Sequence, residues 1–129
     1  MLPAVDVNYL TERGLRPAVQ QDGGMICVLF PVWRVPEGYR QTHTDLLLRL
    51  SPGYPDVPPD MWWCDPGLVL LNGSLPQATE VTEQHLGRNW QRWSRHFNQP
   101  GLWRSGIDTL ESYLARIRAE MRRSAGKAA

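Results

Sequence analysis

The chain has 129 residues, 42% of them hydrophobic and 21% charged, with a formal net charge of +1. That is enough chain for one domain to bury a core without a metal or disulfide staple, and the near-neutral balance gives no global attraction to nucleic acid, membrane or an acidic partner. No run approaches the roughly 18 uninterrupted apolar residues of a membrane span, and Met1 to Asp6 lacks the basic end and apolar stretch of a secretory signal, so a cytoplasmic protein is expected.

Asp6 has the chemistry of a helix cap, with apolar Val7 and Leu10 (and Val5) following, and Gly14 ends the pattern; a short helix is expected over Asp6 to Arg13. Leu15 to Gln21 reads as a strand closed by the turn signal Asp22-Gly23-Gly24. Met25 to Phe30 is a buried-strand pattern that continues through Val32-Trp33, with Pro31 implying a bulge or an edge. Pro36 to Tyr39 is a turn, Thr42 to Leu50 the next strand and Met61 to Cys64 a short fourth one. Consecutive strands with turn-length links favour an antiparallel meander. Between the third and fourth strands, Pro52, Pro55, Pro58 and Pro59 fix φ and remove amide donors, so this loop is stiff and unpaired.

Farther on, Trp90, Trp93 and Phe97 have the spacing of one face of a helical turn, with Arg88, Arg92 and Arg95 off it. Arginine beside tryptophan also suits single-stranded nucleic acid, but the basic residues are local and no RNA-binding signature is present. Ile107, Leu110, Leu114, Ile117 and Met121 recur at helical steps with Tyr113 beside them, giving a helix over Ile107 to Arg123. Asp108 and Glu111 fit a capping box, and Ser105 is an alternative cap one turn earlier. Arg116, Arg118, Arg122 and Arg123 read as a solvated helix end that complements the dipole. Cys27, Cys64, His43, His85 and His96 show no metal-ligand spacing, so neither metal nor cofactor is expected, and both cysteines read as reduced core residues.

Tyr54-Pro55 with Pro58-Pro59, then Trp103, then the amphipathic helix, resemble in order the landmarks of ubiquitin-conjugating enzymes. The runs Trp93-Ser94-Arg95-His96 and Leu102 to Asp108 are similar to a bacterial group of that kind, prokaryotic family E. The resemblance implies an α+β fold with a short N-terminal helix, a four-stranded antiparallel meander, an active-site segment and a C-terminal helix. From length and pattern one domain is expected over residues 1–123, followed by a disordered tail at 124–129. The resemblance also implies a place in bacterial ubiquitin-like protein conjugation, with a ubiquitin-like protein and an activating-enzyme-like protein as partners, and antiviral defence as the setting.

The departure from that pattern concerns the nucleophile. Members of the family carry a cysteine shortly before the tryptophan; counting back from Trp103, eight residues gives Arg95 and nine gives Ser94. The nearest equivalent of the family's His-Pro-Asn motif is His85-Leu86-Gly87, without proline or asparagine. Three readings follow. Ser94 accepts the ubiquitin-like protein as an oxyester, with His96 or His85 as base and Arg92 and Arg95 steadying an oxyanion or gripping a partner. Alternatively, the chain is a scaffold that binds both partners without a nucleophile. In the third reading Cys64 acts from the end of the fourth strand, where packing is the competing explanation. Transferase activity at Ser94 is the leading expectation, with Trp103, Tyr54 and Pro55 as supporting residues.

Overall fold

The computed structural model describes residues 1–97 and 99–127. Helix α1 (Ala4–Glu12) is followed by strands β1 (Ala18–Asp22), β2 (Met25–Arg34), β3 (His43–Leu50), β4 (Trp62–Asp65), β5 (Thr82–His85) and β6 (Arg88–Trp93), and then by helix α2 (Leu110–Lys127). All six strands join one sheet in the order β1-β2-β3-β4-β6-β5, and every neighbouring pair is antiparallel.

The first four strands follow one another as the sequence implies, but the sheet does not stop at four. Residues 82–93, whose tryptophans suggest a helical face, form a hairpin instead. Leu86 and Gly87 both have positive φ, 55° and 73°, which is the two-residue turn whose twist matches paired strands. Along β6 the side chains alternate. Trp93 enters the main core, while Trp90 joins Cys27, Leu47 and Trp63 on a second cluster. A spacing of three thus puts the two indoles on opposite faces of a strand, where a helix would have put them together.

Gly23 and Gly24 make the equivalent turn between β1 and β2, with φ of 58° and 78° and Asp22 opposite Met25. Pro31 does mark a bulge: the pairing of β2 with β3 shifts between Phe30 and Trp33. The main core lies between the sheet and α2, whose Leu110, Tyr113, Leu114, Ile117 and Met121 are fully buried. Ile107 is 62% exposed and precedes the helix, so the apolar face starts three residues later than its periodicity implies. Helix α2 also runs through Ser124 to Lys127, where a disordered tail was expected; Ala128 and Ala129 lie outside the described residues.

Helix α1 departs from expectation in an informative way. It begins after Pro3, so Asp6 lies inside its first turn rather than capping it. Val5 and Val7 face solvent, and of the apolar positions only Leu10 is buried. At its other end, Gly14 (φ 66°) allows Leu15 N–H to reach Leu10 O at 2.9 Å and Gly14 N–H to reach Thr11 O at 3.1 Å, a Schellman closure. The Asp6 carboxylate, 1% exposed, accepts the Tyr54 hydroxyl at 2.7 Å and the backbone N–H of Leu110 at 2.9 Å. One side chain of α1 therefore ties the proline loop to the start of α2.

Asp6→Ala leaves a buried hydroxyl and a buried amide unpaired, and is expected to destabilise the fold by about 2–4 kcal/mol. Val7→Ala, at a position the sequence places in the core, is expected to stay within about 0.5 kcal/mol. Urea denaturation of the two variants measures both; similar losses would contradict the assignment.

Candidate functional site

Strands β5 and β6 build a polar network beside the second apolar cluster. Glu83 is its hub. Its Oε1 accepts from the Trp63 indole N–H at 2.9 Å and lies 3.1 Å from His85 Nε2, while its Oε2 accepts from Arg92 Nη1 at 2.9 Å. Because a carboxylate only accepts, His85 Nε2 is the donor in that pair. Arg92 continues the chain by donating from Nε to Ser94 Oγ at 3.1 Å. The strand period explains the grouping: Glu83 and His85 share one face of β5, and Trp90 and Arg92 share one face of β6. Burial alone would raise the Glu83 carboxyl, but hydrogen bonds from His85, Trp63 and Arg92 outweigh it and hold the group below its ordinary value.

Ser94 follows the last residue of β6. It is half-buried, and its own N–H donates to Ala78 O at 3.1 Å. His96 turns elsewhere: its Nδ1 pairs with Asp60 Oδ1 at 2.8 Å on the exposed surface. Among the described residues, neither His85 nor His96 hydrogen-bonds Ser94. Serine is a weak nucleophile without a base, so this hydroxyl is held by a cation rather than activated by an imidazole.

Arg95 belongs to the framework. Its Nε donates to Glu120 of α2 at 2.8 Å, its Nη1 to Gln77 O at 2.8 Å and its Nη2 to Ser124 Oγ at 3.1 Å; the guanidinium also lies 5.0 Å from the Trp93 ring centroid. These bonds anchor the exit of β6 to the helix. Trp103 donates from Nε1 to Pro55 O at 2.8 Å and sits between Tyr54 and Tyr113, with centroids at 6.1 and 6.2 Å. Tyr54, Pro55 and Trp103 thus form one aromatic clasp that holds the proline loop. The Tyr54 phenol is pushed up first by burial and then by Asp6.

Both cysteines are fully buried, Cys27 in the second cluster and Cys64 in the main core. Burial pushes the Cys64 thiol far above its ordinary value, against a weaker opposing hydrogen bond from Thr44. A thiol in that state is neither ionised nor reachable. Sequence reasoning missed Glu83, Trp63 and Asp60. Glu83 would have been found beside His85 from the alternation Glu83-x-His85 once Leu86-Gly87 was read as a hairpin turn. Among the described residues no helix is long and apolar enough to cross a membrane, and no cluster of three or more His, Cys, Asp or Glu could hold a metal ion.

Comparison with known proteins adds a family to this geometry. A family model described as prokaryotic E2 family E matches residues 2–124. No match was found among curated proteins, and none among solved structures. The chain belongs to prokaryotic E2 family E, an E2-like family, and the match makes it a ubiquitin-conjugation-like component.

Two measurements test the local chemistry. The Trp63 indole proton should report Glu83 titrating with a midpoint below the ordinary 4.5 of a glutamate. The depressed value means that the stability from this network is complete above the unfolded-state value and is lost as pH falls through the folded one. A midpoint at or above the ordinary value, or one that persists in Glu83→Gln, would contradict the hub. A soluble disulfide reagent is also expected to label neither Cys27 nor Cys64 until denaturant is added, and prompt labelling of the native protein would contradict their burial.

Proposed function

We propose that the chain acts in ubiquitin-like protein conjugation as a binding component, holding a ubiquitin-like protein and its activating enzyme without forming a thioester of its own. The observation that carries this reading is the complete burial of Cys27 and Cys64 in a fold of E2-like family. A thioester carrier needs an accessible thiolate, and neither sulfur can supply one without unfolding the sheet around it. Arg95, which a transferase would use at an oxyanion, has its donors committed to Glu120, Gln77 and Ser124.

One contact favours a second reading. Arg92 Nε donates to Ser94 Oγ at 3.1 Å, and a guanidinium at that distance would stabilise an alkoxide. In that reaction the Ser94 oxygen attacks the thioester carbonyl of the activated ubiquitin-like protein. The C–O bond forms, the C–S bond breaks, and the departing thiolate receives the serine proton through His96 or His85. Each imidazole would first have to leave its carboxylate partner, Asp60 or Glu83.

Incubation with ATP, an activating-enzyme-like protein and a ubiquitin-like protein from the same organism separates the readings. Stable co-purification with no mass increment on the chain is the expected result. A hydroxylamine-sensitive, thiol-resistant adduct that disappears in Ser94→Ala would overturn the binding-component reading and establish the oxyester. Ser94→Cys would then give an adduct that dithiothreitol cleaves. Absence of any association would overturn both.

A further inference from the structure

A second site lies away from Ser94. A cleft of about 430 Å³ opens between the α1–β1 connection, the bulged part of β2 and α2, and Arg16, Arg34 and Arg118 line it together with Trp33 and Phe30. A smaller cleft of about 230 Å³ shares Leu15 and Arg118 with it and adds Tyr9 and Arg13. Among the described residues no acidic side chain lines either one. Among the described residues Arg13, Arg16, Arg34 and Arg118 take part in no ion pair, whereas Arg49, Arg88, Arg92, Arg95 and Arg123 all do. The chain as a whole is only +1, so this charge is a local feature.

The cations of this cleft are held in place by aromatic rings. The Arg118 guanidinium lies 4.5 Å from the Trp33 ring centroid and that of Arg13 lies 5.7 Å from Tyr9, so ring contact places both cations before any ligand arrives. Trp33 itself is 5% exposed and its indole nitrogen is buried, so its ring serves as a fixed platform for Arg118.

We infer that this double cleft docks an acidic polypeptide segment, whose carboxylates pair with Arg16, Arg34 and Arg118. A guanidinium fork matches a carboxylate in two parallel bonds, and two adjoining clefts suit an extended chain better than a single small anion. Nucleic acid fits less well. Base stacking needs an open ring face, but Phe30 and Trp33 are buried and Arg118 covers the Trp33 ring. The site stands whether or not Ser94 ever carries an acyl group.

A fluorescein-labelled peptide of alternating glutamate and glycine, titrated against the full chain at low and physiological salt, tests it by anisotropy. Saturable binding that weakens with salt is expected, with a change in the shift of the Trp33 indole proton, assigned through Trp33→Phe, as Arg118 engages the peptide beside its ring. Arg16→Glu combined with Arg34→Glu, checked for folding by circular dichroism, should weaken binding by at least about tenfold. Arg34→Gln alone should weaken it less, and Arg104→Glu, outside the cleft, should change nothing. Equal binding of the matching glutamine–glycine peptide, unchanged binding by the charge-reversed variants, or no movement of the Trp33 proton would overturn the proposal. Tighter binding of oligothymidine than of the acidic peptide would assign the cleft to nucleic acid instead.

Discussion

The buried carboxylate of Asp6 is the constraint on which the rest of the arrangement depends. Removing a carboxylate from water is costly unless hydrogen bonds replace its solvation. Here the replacements come from two distant parts of the chain: the Tyr54 hydroxyl in the proline loop and the first backbone amide of α2. The amide at a helix start lacks an intrahelical partner and sits at the positive end of the dipole, so it is a good donor to an anion. Satisfying Asp6 therefore fixes three elements at once. Trp103 reinforces the same corner, because its indole N–H bonds Pro55 O and its ring packs on Tyr54 and Tyr113.

The sheet separates two kinds of work. On one face large apolar groups meet α2; Trp62 stacks on Trp93 at 5.6 Å, and Tyr113 reaches across to donate to Met61 O at 2.6 Å. The other cluster is smaller, and Trp63 carries polar chemistry at its margin by donating to Glu83. Ser94 connects to that margin through Arg92, while the next residue, Arg95, is tied to α2. Alternation along the chain thus sends neighbouring arginines to different tasks. The bonding of one says little about the other.

Much of the architecture was legible in the sequence for local reasons. Paired glycines at 23 and 24, the bulge at Pro31, the proline loop and the helical period from Leu110 to Met121 each have one dominant physical interpretation. Residues 82–93 were harder because their cue was ambiguous: tryptophans three apart satisfy a helix face, whereas the decisive signal was the turn at Leu86-Gly87. Asp6 misled for a different reason. An aspartate at the start of a helix is ordinarily a local cap, and only tertiary structure reveals that its partners lie 48 and 104 residues away. The same limit applies to the site. Spacing places Ser94 and His96 side by side in sequence, but Asp60, from the loop before β4, claims the imidazole.

The distribution of charge links these observations to binding. A net charge of +1 suggests an electrostatically neutral protein, yet neutrality here is a cancellation rather than an absence. Arginines that cross the sheet or reach α2 meet carboxylates and serve the fold, as Arg88 does with Asp45 and Asp65 and Arg95 does with Glu120. Among the described residues those around the α1–β1 connection and the β2 bulge meet none, so their field extends into solvent. A chain with sealed thiols can still recognise another protein through such a surface, because recognition requires placed donors and exposed charge, not a nucleophile. Membership in an E2-like family and burial of both cysteines are then compatible, because a fold does not by itself fix the chemistry of its site.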